Sequence, residues 1–206
     1  MTEDTGPEST GADLRPRERP EALEFLLTRR STPAKTLVSP GPDDATLQRI
    51  LTAGLRTPDH GKLEPWRLIV IRPAAQARLA DAAVARAQAL GETEEVMAKT
   101  RKSLLDGAMI VAVIASPQPS EKIPEVEQLL SAGAVCLSIL NAALASGVGA
   151  NWLSGWISHD RAFCEEHLGL ASTERVAGLI HLGTPKTAPP ERPRPDLSAK
   201  ISELKT

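Results

Sequence analysis

Two short blocks of this sequence combine residue types that are suited to binding an anion and an aromatic ring. Arg29-Arg30-Ser31 joins two guanidinium groups to a hydroxyl. Arginine presents a planar fork of donors that matches phosphate, and the serine adds a hydroxyl and backbone N–H groups beside it. The second block runs from Arg56 through His60 and Trp66 to Arg67, directly before the apolar residues 68–71. Together the two blocks predict an anion-and-ring binding site.

A third motif follows much later, as Gly147-Val148-Gly149-Ala150-Asn151-Trp152-Leu153-Ser154-Gly155. With the two earlier blocks in the same order, the sequence from about residue 21 to 193 resembles the short, FMN-dependent nitroreductases. Glu127-Gln128 and Gly183-Thr184-Pro185 add to this resemblance. It implies an α+β fold of the nitroreductase-like α/β sandwich type. It also implies a homodimer formed through the long central helix, with two FMN sites at the interface, each lined by both subunits.

The resemblance also implies roles for particular residues. Arg29, Arg30 and Ser31 would hold the FMN phosphate. Arg56 would reach the FMN of the partner subunit, and His60 would lie close to the flavin. The cofactor-contacting stretch of the family is matched by Trp152, Leu153 and Ser154. NAD(P)H would deliver hydride to the flavin, and an electron-poor acceptor such as a nitroaromatic or a quinone would then be reduced on the same face.

Two positions depart from the family pattern. Longer nitroreductases carry a lysine two residues after the serine, whereas this chain has Pro33, so we expect Arg56 or Lys35 to supply that charge. Some short relatives have an arginine where this chain has Leu153. We therefore hypothesise that Arg192 folds back to the phosphate in its place.

Each of these residues also has a simpler interpretation. Arg29 and Arg30 could be a solvated helix end that is favourable to the helix dipole. Arg56 could be an ordinary surface arginine, and Arg192 a charged residue on a proline-rich tail. His60 could be a turn residue that bonds to nearby backbone. Trp66, just before a strand, is predicted to belong to the core and not to the site.

The remaining motifs point away from other kinds of chemistry. Gly147 and Gly149 do not form a dinucleotide fingerprint, because no strand precedes them and no third glycine opens a helix. No Gly-x-Ser-x-Gly or Walker sequence occurs. A metal site is not expected, since His159, His167 and His181 show no ligand spacing with His60 or with the cysteines. No side chain is therefore predicted to act as a catalytic acid, base or nucleophile.

Length, composition and charge limit the number of domains, the kinds of partner and the location that we expect for this chain. With 206 residues, 41% of them apolar, the chain is long enough for one domain with a substantial core, predicted over residues 21–206. Residues 1–20 have almost no large apolar side chains and are predicted to be a disordered tail. The net charge of −2 gives no general attraction to nucleic acid. Without a signal core or a run of roughly 18 apolar residues, no membrane association and a cytoplasmic location are expected.

The apolar spacing predicts most of the elements that must position these motifs. A first helix is expected from residue 21 to the double arginine. A second is expected to start at residues 42–44, with Arg56 in its last turn and Pro58 as the stop. Two more are expected over residues 73–90 and 160–168. Strands are expected at residues 68–71, 108–115, 151–153 and 176–182. Cys136 and Cys164 lie in helical, apolar contexts and are expected to be buried free thiols.

Two further segments carry more specific expectations. Residues 91–102 are charged and aperiodic, which favours a mobile segment or lid. Residues 125–146 form the longest apolar stretch, with apolar or small side chains on nearly every side, so this helix is expected to be buried all round. Helices and strands mix without a strict βαβ rhythm, which favours an α+β sandwich with a mixed or antiparallel sheet.

Three functions remain open on the sequence. The first is an FMN-dependent NAD(P)H oxidoreductase. The second is a flavin-binding protein without turnover, which would use FMN for sensing or storage. The third is a helical interaction protein in which the basic motifs are incidental.

Overall fold

The computed structural model describes residues 16–205. Most of the predicted disordered tail, residues 1–15, lies outside this range. The six α-helices of the described chain are Pro20–Thr28 (α1), Asp44–Gly54 (α2), Pro73–Ala89 (α3), Glu94–Leu105 (α4), Glu125–Ala145 (α5) and Arg161–Leu168 (α6). Its five strands are Leu37–Val38 (β1), Trp66–Ile71 (β2), Met109–Ala115 (β3), Gly149–Leu153 (β4) and Arg175–Pro185 (β5). Short 3₁₀ turns lie at Ala34–Thr36, His60–Lys62 and Trp156–Ser158.

The strands form one antiparallel sheet with β5 at its centre. The order is β1-β5-β3-β2, and β4 also pairs with β5. All seven residues of β3 are buried, so the predicted strand there is confirmed. The structure differs from the prediction at β2 and β5, because β2 already begins at Trp66 and β5 continues past Gly183 to Pro185.

Alternate residues of β3 enter two different cores. Ile110, Ala112 and Ile114 pack with α3 and α6 on one face of the sheet. Met109, Val111 and Val113 pack with α2 and α5 on the other face. This alternation is what a strand covered by helices on both sides requires. The α+β sandwich expected from the sequence is therefore confirmed.

Helix α2 begins and ends where the sequence supplies the signals. The Asp43 carboxylate accepts a hydrogen bond of 2.7 Å from the backbone N–H of Thr46, which caps the first turn. The helix ends at Gly54, so Arg56, which was predicted to lie in its last turn, follows the helix. A Cβ on Gly54 would lie only 2.3 Å from Cγ1 of Ile139, so glycine allows α2 to approach α5 closely at this point.

The prediction of a mobile lid over residues 91–102 is wrong, because these residues belong mostly to α4. The hydroxyl of Thr93 accepts from the N–H of Val96 and caps the helix. A narrow face with Thr100 and Leu104 is buried against α3. Gln76 of α3 secures the end of the helix by donating 3.1 Å to the Leu104 carbonyl.

The prediction that the central helix is buried all round is also wrong for the single chain. Eight residues of α5 are buried between α2 and the sheet. The opposite side exposes large apolar side chains, with exposed fractions of 60% at Val126, 68% at Leu130 and 45% at Leu137. By length and composition α5 is also apolar enough to cross a membrane. Its burial against the sheet is instead that of a core helix.

Candidate active site

The Arg29-Arg30-Ser31 block lies directly after α1 and beside β4. The N–H of the next residue, Thr32, donates 2.9 Å to the carbonyl of Ala150 in β4. The side-chain amide of Asn151 donates 2.8 Å to the Thr32 carbonyl. These two bonds join the first sequence motif to the third. The structure therefore brings together two blocks that are about 120 residues apart in the chain.

Arg29 has an unused donor in this arrangement. Its Nη2 donates 3.0 Å to the hydroxyl of Ser31, while its Nε is buried and has no hydrogen-bond partner. Burial, followed by the like charges of Arg194 and Arg30, lowers the pKa of the Arg29 guanidinium. A buried donor without an acceptor is costly, and so is a cluster of like charges. An anion placed at Arg29 would relieve both costs.

The chain returns to this block near its C-terminal end. Arg30 donates through Nη1 to the carbonyl of Pro190 and, at 3.3 Å, to Oε1 of Glu191. Arg194 pairs with the same Glu191 oxygen at 3.2 Å. We call Arg29, Arg30 and Arg194 the arginine cluster. The expectation that this segment folds back toward the double arginine agrees with the structure, but the arginine whose charge acts on Arg29 is Arg194.

Arg192 contacts Glu191 through its backbone, whose N–H donates a hydrogen bond of 2.8 Å to the Glu191 carboxylate. Its side chain makes no hydrogen bond or ion pair within residues 16–205. The predicted phosphate-binding role of Arg192 thus stays a prediction. Arg194 was missed because nothing in the local sequence distinguishes it from Arg192, two residues earlier.

The indole of Trp152 in β4 lies against a glycine of the neighbouring strand. A Cβ on Gly178 of β5 would lie 2.1 Å from Nε1 of Trp152, so the indole occupies the space that a side chain would take there. The indole is 39% exposed. Leu153 is half-buried and Ser154 is exposed at the end of the strand. The third motif therefore presents a ring surface on β4, the strand that Thr32 contacts directly after the Arg29-Arg30-Ser31 block.

Backbone groups of β4 are also open on the side that faces Thr32. The carbonyl of Ala150 points away from β5, since it accepts from Thr32. The N–H and C=O groups of alternate residues in a strand point to the same edge. Those of Trp152 consequently point to this edge too, and an edge strand leaves such groups free to bind a ligand.

The second block lies elsewhere, along α5. The hydroxyls of Thr57 and Ser138 are hydrogen-bonded at 2.9 Å, and the Ser131 hydroxyl donates 2.9 Å to the Pro58 carbonyl. Nδ1 of His60 lies 2.8 Å from Oε2 of Glu127. These three contacts fix residues 57–60 on the N-terminal two-thirds of the helix.

Arg56 and His60 are not brought to the arginine cluster within one chain. Arg56 is exposed, and the His60 side chain is 62% exposed. Among the hydrogen bonds and ion pairs of residues 16–205, none joins either residue to Arg29, Arg30 or Ser31. The partner of His60, Glu127, was part of the family resemblance in the sequence but had no assigned role.

The other side chains with chemical potential belong to the core. Trp66 packs against the α5 side of the core and donates 3.1 Å to Ser131, as expected of a core residue. Both cysteines are buried and free, and burial raises the pKa of the Cys136 thiol to about 12. Such a thiol is inert as a nucleophile. Within residues 16–205, no group of three or more potential ligands is placed to hold a metal ion.

Known proteins resemble this chain in sequence. The sequence matches the model of the Nitroreductase family over residues 26–184. It is 34% identical over 166 residues to a protein of Escherichia coli (strain K12) named Putative NAD(P)H nitroreductase YdjA. That alignment covers 81% of this chain and 89% of the relative.

Solved structures share the fold. The nitroreductase-like family protein from Bacillus cereus superposes with a TM-score of 0.76 at 22% identity, covering 92% of this chain and 99% of that one. A Desulfovibrio desulfuricans protein described as a putative nitroreductase in complex with FMN superposes with a TM-score of 0.68 at 25% identity. It covers 92% of this chain and 99% of its own. The family match spans both the Arg29 block and the β4 motif, and the chain belongs to the nitroreductase family.

Proposed function

We propose that the protein is an FMN-dependent oxidoreductase that uses NAD(P)H to reduce electron-poor acceptors such as nitroaromatics and quinones. Family membership supports an oxidoreductase, and the fold is shared with a protein whose structure contains FMN. The observation that carries the proposal is the buried, unpartnered Nε of Arg29, beside Ser31 and next to β4. When bound, FMN would supply the hydride-transfer chemistry that the protein's own side chains lack.

Arg29, Arg30 and Ser31 fit the phosphate end of FMN. The Arg29 guanidinium has a free donor, and Ser31 holds its other end in place through the 3.0 Å bond. Arg194 adds a third positive charge from the C-terminal segment. A phosphate dianion matches this donor set in both charge and geometry.

Trp152, Leu153 and Ser154 fit the ring end. The open backbone N–H and C=O groups of Trp152 can pair with the polar edge of a flavin ring. The indole, held against Gly178, adds an apolar surface. The bonds from Thr32 and Asn151 fix this strand relative to Arg29, so both ends of one ligand are held by a single rigid unit.

A homodimer would bring Arg56 and His60 to the same site. The exposed apolar side chains Val126, Leu130 and Leu137 form a stripe along α5 at helical spacing. A contiguous exposed apolar surface of this kind marks a protein–protein interface. Residues 57–60 contact the same helix, so pairing of two α5 stripes would place His60 and Arg56 at the subunit boundary, where each could contribute to the partner's cofactor.

One spectrum separates the candidate functions. The purified full-length chain is incubated with FMN, desalted, and its visible spectrum is recorded before and after anaerobic addition of NADH or NADPH. The proposal predicts a retained flavin band that the reduced nicotinamide bleaches. A retained band that neither nucleotide bleaches would indicate flavin binding without turnover. A colourless protein would overturn the proposal and would favour a helical interaction protein in which the basic motifs are incidental.

A further inference from the structure

Two hydrogen-bond donors and one ion-pair partner converge on one oxygen of Glu191. Its Oε1 accepts hydrogen bonds from Nη1 of Arg30 at 3.3 Å and from the backbone N–H of Arg192 at 2.8 Å, and it forms an ion pair with Nη2 of Arg194 at 3.2 Å. Two guanidinium groups and one backbone N–H around a single oxygen form an environment that also suits a phosphate oxygen. Glu191 therefore fills an anion site within the arginine cluster.

Arg30 and Glu191 differ strongly in how exposed their side chains are. The Arg30 side chain is 20% exposed, whereas that of Glu191 is 73% exposed. The N–H of Arg192, followed by the charges of Arg194 and Arg30, lowers the pKa of the Glu191 carboxyl, so it is ionised at neutral pH. The carboxylate can consequently rotate away into water while the largely buried Arg30 stays in place.

On this geometry we propose that Glu191 is a built-in occupant of the phosphate site, which the phosphate of FMN displaces and free inorganic anions do not. The inference rests on the proposed function and adds a specificity-determining residue to it. A tethered group competes at an effective concentration in the millimolar range. Free phosphate must overcome that competition alone, whereas the phosphate of FMN arrives together with the binding energy of the ring on β4.

The test compares FMN with riboflavin, which lacks the phosphate. Full-length wild type and Glu191→Gln are titrated with each flavin by fluorescence quenching, with and without added inorganic phosphate. For Glu191→Gln the Kd of FMN is expected to fall about three- to tenfold, the scale of two surface ion pairs acting together, while that of riboflavin stays unchanged. Inorganic phosphate should compete with FMN more effectively for the variant than for wild type.

Glu203→Gln is the matched control, because Glu203 is exposed on the same C-terminal segment. It should leave both flavin affinities and the phosphate effect at their wild-type values. Weaker FMN binding by Glu191→Gln would show that Glu191 positions the arginines, and unchanged binding would show that it does not compete. Either result overturns the inference while flavin binding stands. A wild-type chain that binds neither flavin would overturn the proposed function as well.

Discussion

Substitution of Gly178 by alanine tests the placement of Trp152 directly. The new Cβ would lie 2.1 Å from Nε1 and 2.6 Å from Cδ1 of the indole. Ordinary contact begins near 3.4 Å, so the ring must move by more than 1 Å. The Cβ would also lie 3.0 Å from Sγ of Cys136, which a small shift relieves. Gly178→Ala therefore requires a change in the surface proposed to face the flavin.

The cost follows from overpacking. Inserting a methyl group into a packed site costs typically about 1–3 kcal/mol. In a domain of this size, each kcal/mol lowers the melting temperature by roughly 2–4 °C. Gly178→Ala should thus lower the melting temperature by roughly 2–12 °C. FMN affinity should fall as well, because the displaced indole and its strand edge are the proposed ring end of the site.

A double-mutant cycle in urea identifies the cause. If the indole is the obstacle, Gly178→Ala should cost less than about 0.5 kcal/mol in a Trp152→Ala background, where the space is free. Gly155→Ala serves as the control, because a Cβ there meets nothing within 4 Å and the backbone is extended. Equal costs of Gly178→Ala in both backgrounds would refute the placement of Trp152 over Gly178.

Three further outcomes follow from the geometry. Arg29→Ala should weaken FMN by about 1.5–3 kcal/mol, the scale of a hydrogen bond to a charged group, and riboflavin far less; full retention of FMN would remove the phosphate assignment. Two hydrogen bonds from Arg67 lower the pKa of buried Glu174 to about 2. This ion pair adds about 3 kcal/mol to the free energy of unfolding at any pH above the unfolded-state pKa, and the contribution is lost as pH falls toward 2. The free energy of unfolding of wild type should therefore fall more steeply with decreasing pH in this range than that of Glu174→Gln. Leu130→Glu should give monomers in size-exclusion chromatography if the α5 stripe pairs two chains, and a dimer that survives this change would contradict that interface.

The local spacing of apolar residues was sufficient to predict the helices and strands that have a broad apolar face. Leu47 and Ile50 mark the buried side of α2, and Asp43 marks its start, as the structure confirms. The β-branched run in β3 likewise identifies a strand covered on both faces. In these segments, propensity, spacing and burial agree, so the sequence alone predicts the element and its orientation.

Helix α4 was missed because its apolar face is too narrow to appear as a periodicity. Only Thr100 and Leu104 are buried in it, among many charged neighbours. They pack on α3, where Ala80 and Ala83 are fully buried and their small side chains allow close approach. The stability of α4 thus comes from its partner helix, which no local window contains.

The candidate site was predictable in its motifs but not in its assembly. The sequence indicates that Arg29 and Ser31 suit a phosphate, but their contact with β4 depends on hydrogen bonds between residues that are about 120 positions apart. The part played by Arg194 depends on the return of the C-terminal segment to Arg30. For α5, an apolar surface that is unburied in one chain looks the same in sequence as one buried in the core.

The central claim is that Arg29 and Ser31 hold the phosphate of a flavin whose ring lies along β4. A crystal structure of the full-length protein with FMN tests it most directly. The account predicts phosphate oxygens within about 3.2 Å of the Arg29 guanidinium and the Ser31 hydroxyl, with the ring beside Trp152 and the Glu191 carboxylate turned away from Arg30. A flavin bound elsewhere, or a phosphate that touches neither residue, would contradict it.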